Sequence, residues 1–176
     1  MDYKLLSKSE ETVFYDQIFE MMQESDNDFI PPLSSRSSTT QKDFSFRKGS
    51  LEGLKSYFEE MKNQRFMVCT DGDILVSFVS FKENFTNDKI TDEDLPNIYL
   101  STLIMRPEYR GHGVTQKIYN ELFKIYNDAN IFTRTWSTNA AHIKILSKFN
   151  FEVINTIKDD RGEGIDTIYF IKRKIT

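Results

Sequence analysis

A chain of 176 residues suits one well-cored domain better than two, and 23 Lys and Arg against 27 Asp and Glu leave a net charge of -4. That balance lacks the basic footprint of a nucleic-acid binder, so no DNA or RNA partner is expected; a mild acidic field suits a cationic acceptor such as an amine and equally serves solubility. The lone Cys69 permits no internal disulfide, no Cys/His cluster could hold a metal, and neither a secretory leader nor an apolar run of roughly 20 residues occurs, so the expectation is a single cytoplasmic domain over residues 1–176 without membrane or metal.

Tyr3 to Leu6 reads as a short strand, and Ser7 followed by Glu10 has the spacing of a capping box. The helix behind it places Phe14, Ile18, Met21 and Met22 on one face, with Glu11, Asp16, Gln17 and Glu20 on the others. From Ser25 to Lys48 the pattern breaks at Pro31 and Pro32 and crowds six Ser or Thr into positions 34 to 40. This long loop keeps Phe29, Ile30, Leu33, Phe44 and Phe46, and reads either as an acceptor-side lid or as a structural meander.

Leu51, Leu54, Phe58 and Met61 predict a second helix over Ser50 to Asn63. Phe66 to Thr70 and Ile74 to Lys82 flank Asp71-Gly72-Asp73, an antiparallel hairpin signal. A polar loop, Glu83 to Pro96, leads to a strand over Ile98 to Met105. Val114, Ile118, Leu122 and Ile125 then give a helix from Gly113 to Asn127, and Ile131 to Trp136 a strand. Asn139 is placed to cap a helix carrying Ile143, Leu146 and Phe149, which ends at Asn150 in the left-handed region. Phe151 to Ile157 and Ile165 to Lys172 close the chain as a second hairpin. The order describes an α/β fold: a mixed, mostly antiparallel sheet of six or seven strands with helices on both faces.

The segment that carries chemistry runs from Leu103 to Thr115, joining a strand to a helix. Gly111 and Gly113 remove side chains where backbone can approach a ligand, and the helix start offers free N–H groups and a positive dipole end, so an anion belongs there. Neither the three-glycine dinucleotide fingerprint nor a Walker lysine motif is present.

Arg110-Gly111-His112-Gly113-Val114-Thr115 resembles the hallmark of the GCN5-related N-acetyltransferases (GNAT): Arg or Gln, two residues, Gly, one residue, Gly or Ala. The run-in through Met105, Pro107 and Tyr109 is similar too; Thr115 alone departs, adding a hydroxyl and a β-branch that would either crowd a pyrophosphate or donate to it. The frame from Asn139 to Phe151 resembles the family's second segment. The resemblance implies an acyl-CoA N-acyltransferase fold and acetyl transfer from acetyl-CoA to an amine-bearing small molecule or peptide. It further implies a cofactor site in which Leu103, Ile104 and Met105 run beside the pantetheine arm, with the backbone of Leu103 and Met105 pairing to it. Arg110, Gly111, His112, Gly113, Val114 and Thr115 would hold the pyrophosphate, and Asn139 would lie near the thiol end; Asn139 reads equally as a plain helix cap.

No catalytic residue is assigned. Relatives often carry a Tyr where this chain has Leu146, which has no proton to give, and Ser137, Thr138 and Tyr99 stand as unranked substitutes. Glu83, Asp92, Glu93 and Asp94 are the nearest candidate bases, each also an ordinary loop charge, and neither His112 nor His142 is given a catalytic role. A non-catalytic acyl-CoA-binding or regulatory module, a nucleotide-phosphate sensor and a homodimer formed through edge strands of the C-terminal hairpin stay open.

Overall fold

The computed structural model describes residues 1–40, 48–88 and 90–174, apart from the side chain of Asp92. Seven strands form a mixed sheet: β1 (Asp2–Leu5), β2 (Arg65–Asp71), β3 (Ile74–Glu83), β4 (Asn97–Met105), β5 (Asn130–Trp136), β6 (Glu152–Ile157) and β7 (Thr167–Lys172), in the order β1-β2-β3-β4-β5-β7-β6. Four helices accompany them: α1 (Lys8–Ser25), α2 (Leu51–Met61), α3 (Val114–Ile125) and α4 (Ala140–Lys148). Both predicted hairpins pair antiparallel, the first through Gly72 at φ +59°. The described chain divides into two compact units, Met1–Phe81 with Thr102–Ile125, and Lys82–Ser101 with Tyr126–Thr176.

In the first unit the capping box forms: the Glu10 carboxylate accepts from the Ser7 amide at 2.9 Å and its hydroxyl at 2.7 Å. The Lys4 ammonium, with these bonds, pulls the Glu10 carboxyl down to about 2. Pleating turns Phe66 and Val68 of β2 toward a core with Ile18, Met21 and Met22 of α1 and Leu54, Tyr57, Phe58 and Met61 of α2. Each such side chain contributes about 1.5–3 kcal/mol by leaving water. The opposite face of β2 carries Cys69, beside the buried Tyr3 hydroxyl; burial first, then the neighbouring Cys69 and Glu121 of α3, pushes that hydroxyl up to about 12. Helices therefore cover both faces here.

Three expectations need correction. Glu11 is fully buried, its carboxylate accepting at 2.9 Å from the ammonium of a Lys8 side chain that stays 55% exposed and also donates to the Lys62 carbonyl at 3.1 Å, so a half-solvated cation reaches down to a buried carboxylate. Leu51 is 54% exposed: it opens α2 beside a solvent-facing cleft with Gln23 and Asp26, and the apolar stripe runs instead through Leu54, Tyr57, Phe58 and Met61. Ile125 is exposed at the last residue of α3, and Tyr119, which the spacing did not single out, is buried with Val114, Ile118 and Leu122.

The described part of the long loop, residues 25–40, is built on two ordered turns. Two 3-10 turns, Asp26–Asp28 and Leu33–Ser35, are pinned together by the Asp26 carboxylate, which accepts from the Ser34 amide at 2.8 Å and hydroxyl at 2.6 Å. Leu33, Ser34 and Ser35 are buried and Phe29 packs on the core. Phe44 and Phe46 lie outside the described residues.

In the second unit β4 and β5 run parallel, Asn97–Leu100 against Asn130–Thr133, and β7 pairs antiparallel with both β5 and β6. Ile90, Tyr99, Phe132 and Ile171 form its core, with the Phe85 ring 4.7 Å from that of Tyr99. Asn150 takes φ +58° past the end of α4, the expected left-handed stop.

Candidate active site

The site starts from a fastened strand end. Arg106 follows β4; its amide donates to the Val76 carbonyl at 3.0 Å, its Nε to the Leu75 carbonyl at 2.9 Å and its Nη2 to Glu20 at 2.7 Å, with Glu24 at 3.7 Å. Pro107–Tyr109 then make a 3-10 turn closed by the Arg110 amide on the Pro107 carbonyl at 3.1 Å. The chain that leaves this turn is aimed before its glycines begin.

Gly111 and Gly113 adopt φ +82° and +74°, which other residues rarely tolerate, and apart from the adjoining residues no heavy atom of the described residues stands within 4 Å of where a Cβ would project from either. The first amide of the helix to bond back is that of Lys117, on the Gly113 carbonyl at 3.1 Å. Val114, Thr115 and Gln116 therefore start α3 ahead of any intrahelical acceptor, at the positive end of its dipole. Main-chain donors beside open space fit a diphosphate.

Val114 and Thr115 are buried, Thr115 to 5% exposure, so the threonine side chain packs inward and only its amide can serve a ligand. His112 is exposed, with Nδ1 3.4 Å from the Tyr109 carbonyl. Arg110 Nη2 donates to Asp28 Oδ2 at 2.8 Å, across 82 residues of sequence. No spacing signal could have paired an acid in an irregular loop with this arginine. On β4, Ile104 is buried and its carbonyl accepts from the Ser77 hydroxyl at 2.8 Å, while Leu103 and Met105 are half-buried on the stretch beyond Leu100, which pairs with Thr133 of β5.

The proton-transfer candidates are mostly engaged elsewhere. Leu146 is 0% exposed. Tyr99 is packed against Phe85, Ser137 Oγ accepts from the Asp166 amide at 3.0 Å, and Thr138 is exposed. Asp94 closes its own turn, accepting from the Thr91 amide at 2.8 Å; Glu93 is exposed, and the Asp92 side chain lies outside the described ones. Glu83 accepts from the Tyr126 hydroxyl at 2.7 Å, a pairing the sequence did not reveal.

Asn139 caps α4, its Oδ1 accepting from the His142 amide at 3.3 Å while Nδ2 donates to Thr135 Oγ1 at 3.0 Å. Burial lowers the His142 imidazole to about 4, so it is neutral near pH 7. Among the described residues no group of three His, Cys, Asp or Glu could hold a metal ion, and no helix is long and apolar enough to cross a membrane.

A mixed sheet whose parallel β4–β5 pair leads to a glycine turn and an open helix start defines an acyl-CoA N-acyltransferase fold. The sequence matches the Acetyltransferase (GNAT) family over residues 20–151, and the chain belongs to that family. No curated protein matches it. Among solved structures it is similar to an aminoglycoside 6'-N-acetyltransferase complexed with coenzyme A, at 13% identity over 100% of this chain and 98% of that one, TM-score 0.69. A ribosomal-protein-alanine N-acetyltransferase from Brucella melitensis is 13% identical over 98% and 99% of the two chains, TM-score 0.66. The yncA protein of Salmonella typhimurium, solved with its cofactor acetyl-CoA, is 13% identical over 100% and 95%, TM-score 0.65. At such identities the likeness speaks for the fold alone.

Proposed function

We propose that the chain is an N-acetyltransferase, with residues 1–176 working as one functional domain that moves an acetyl group from acetyl-CoA to an amine nitrogen of a small molecule or peptide. The observation that carries this is the cradle from Gly111 to Thr115, with open space at both glycines and free amides at the start of α3. Family membership and solved relatives holding coenzyme A or acetyl-CoA support the same reading.

Bound acetyl-CoA would supply a thioester carbonyl open to nitrogen and a thiolate leaving group. The amides of Gly111, His112, Gly113, Val114 and Thr115 would hold the pyrophosphate beside Arg110, whose own amide closes the Pro107 turn, and Leu103 and Met105 would offer backbone beside Ile104 to the pantetheine arm. Asn139 spends one Nδ2 hydrogen on Thr135 and has a second for the cofactor's thiol end. An alkylamine with a pKa near 10 is neutral in roughly one molecule per thousand at pH 7, so turnover asks for a base or a desolvated site.

Buried Leu146 favours a second reading, an acyl-CoA-binding module without turnover. Calorimetric titration of acetyl-CoA against ATP tests the cradle, and thiol release across an amine panel tests transfer. Preference for ATP sinks the cofactor assignment, and tight acetyl-CoA binding with no thiol release on any amine selects the second reading.

A further inference from the structure

Two arginines flank the Pro107 turn and are held very differently. Arg106 has a side chain only 14% exposed and is tied to a carbonyl and two carboxylates, whereas Arg110 meets Asp28 through one bond with both side chains about half open to water, 51% and 56%. Arg106 is structure. The Arg110–Asp28 pair is of the exposed kind, whose net worth is small and which is easily exchanged.

We propose that Asp28 is a cofactor-sensitive latch, competing with the coenzyme's diphosphate for Arg110. This rests on the reading of the glycine turn given under Proposed function. Arg110 opens the cradle, so a diphosphate held by the Gly111 to Thr115 amides lies within the neighbourhood of its guanidinium. A diphosphate brings more negative charge and more acceptor oxygens than one carboxylate, and guanidinium favours phosphate bidentately, so the exchange runs toward the ligand. Asp28 ends the Asp26–Asp28 turn, which the Phe29 amide closes on the Asp26 carbonyl at 3.3 Å. Cofactor arrival therefore unties that turn from the phosphate loop, and Asp28 taxes coenzyme affinity in the free protein.

The test is a double-mutant cycle read by calorimetric titration of coenzyme A into the full chain: wild type, Asp28→Asn, Arg110→Gln and the double variant. Asp28→Asn should bind about 1.5-fold to 5-fold tighter, Arg110→Gln weaker, and the Asp28→Asn gain should vanish in the Arg110→Gln background. A structural or long-range electrostatic role would not show that dependence on Arg110. Asp28→Asn binding no tighter, or tightening equally in both backgrounds, overturns the latch. Loss of binding in Gly113→Glu with an inert Asp28→Asn overturns the latch alone, and a wild type that binds no coenzyme A overturns it together with the reading beneath it.

Discussion

The carbonyl oxygen of Ser34 occupies the place where a Cβ on Gly53 would stand. Inside an ordinary helix, alanine in place of glycine gains about 1 kcal/mol. Here the sign should reverse, because Ser34 cannot retreat while its amide and hydroxyl are held by Asp26 at 2.8 and 2.6 Å. Gly53→Ala is expected to lose about 1–3 kcal/mol by overpacking, read from urea unfolding; a gain in stability would mean that α2 and the Leu33–Ser35 turn are not in this contact.

Gly113 and Gly72 share a left-handed backbone, φ +74° and +59°, and open space around the missing Cβ, but only Gly113 sits in the proposed cradle. Glutamate at either position should cost a similar 1–2 kcal/mol or so of strain. Acetyl-CoA affinity should fall at least about tenfold in Gly113→Glu, which sets a carboxylate against phosphate, and hold in Gly72→Glu. Equal affinity in the two variants would remove the cradle from the cofactor site.

This contrast shows what the sequence makes legible. Gly113 and its strand-to-helix setting could be read because local geometry needs glycine there and because α3 has clear period-3.6 patterning. Glu11, Leu51 and Gly53 could not: Lys8 lies only three residues from Glu11, but the Lys62 carbonyl that Lys8 also meets, the Gln23 and Asp26 side of the cleft at Leu51 and the Ser34 backbone at Gly53 all come from elsewhere in the sequence. The Asp28–Arg110 and Glu83–Tyr126 pairs were hidden for the same reason: a charge in a loop carries no record of its partner until the fold supplies it. Proton transfer was the least legible part, because Leu146 marks only where one relative-like group is lacking.

His142 gives stability a pH dependence of known sign. Its imidazole, lowered by burial to about 4 from an unfolded value near 6.5, refuses a proton that the unfolded chain accepts between those values. Stability is therefore fully present above pH 6.5 and declines as pH falls toward 4. Glu10 and Asp166, both lowered, begin to act only near their unfolded carboxylate range, so measurements between pH 7.5 and 5 isolate the histidine. Urea midpoints of the wild type should drop across that interval more than those of His142→Gln, and parallel drops would show the imidazole to be solvated.

Asn139 offers a separation of capping from cofactor contact. Its Oδ1 caps α4 through the His142 amide and its Nδ2 is a donor, two duties on two atoms. Asn139→Ala loses both and should cost about 1 kcal/mol of stability, the usual worth of a helix cap. Asn139→Asp keeps the acceptor and loses the donor, so it should restore most of that stability while its acetyl-CoA affinity stays as low as that of the alanine variant. If affinity instead follows stability, recovering with the aspartate, Asn139 is a cap and the cofactor's thiol end is held by another group.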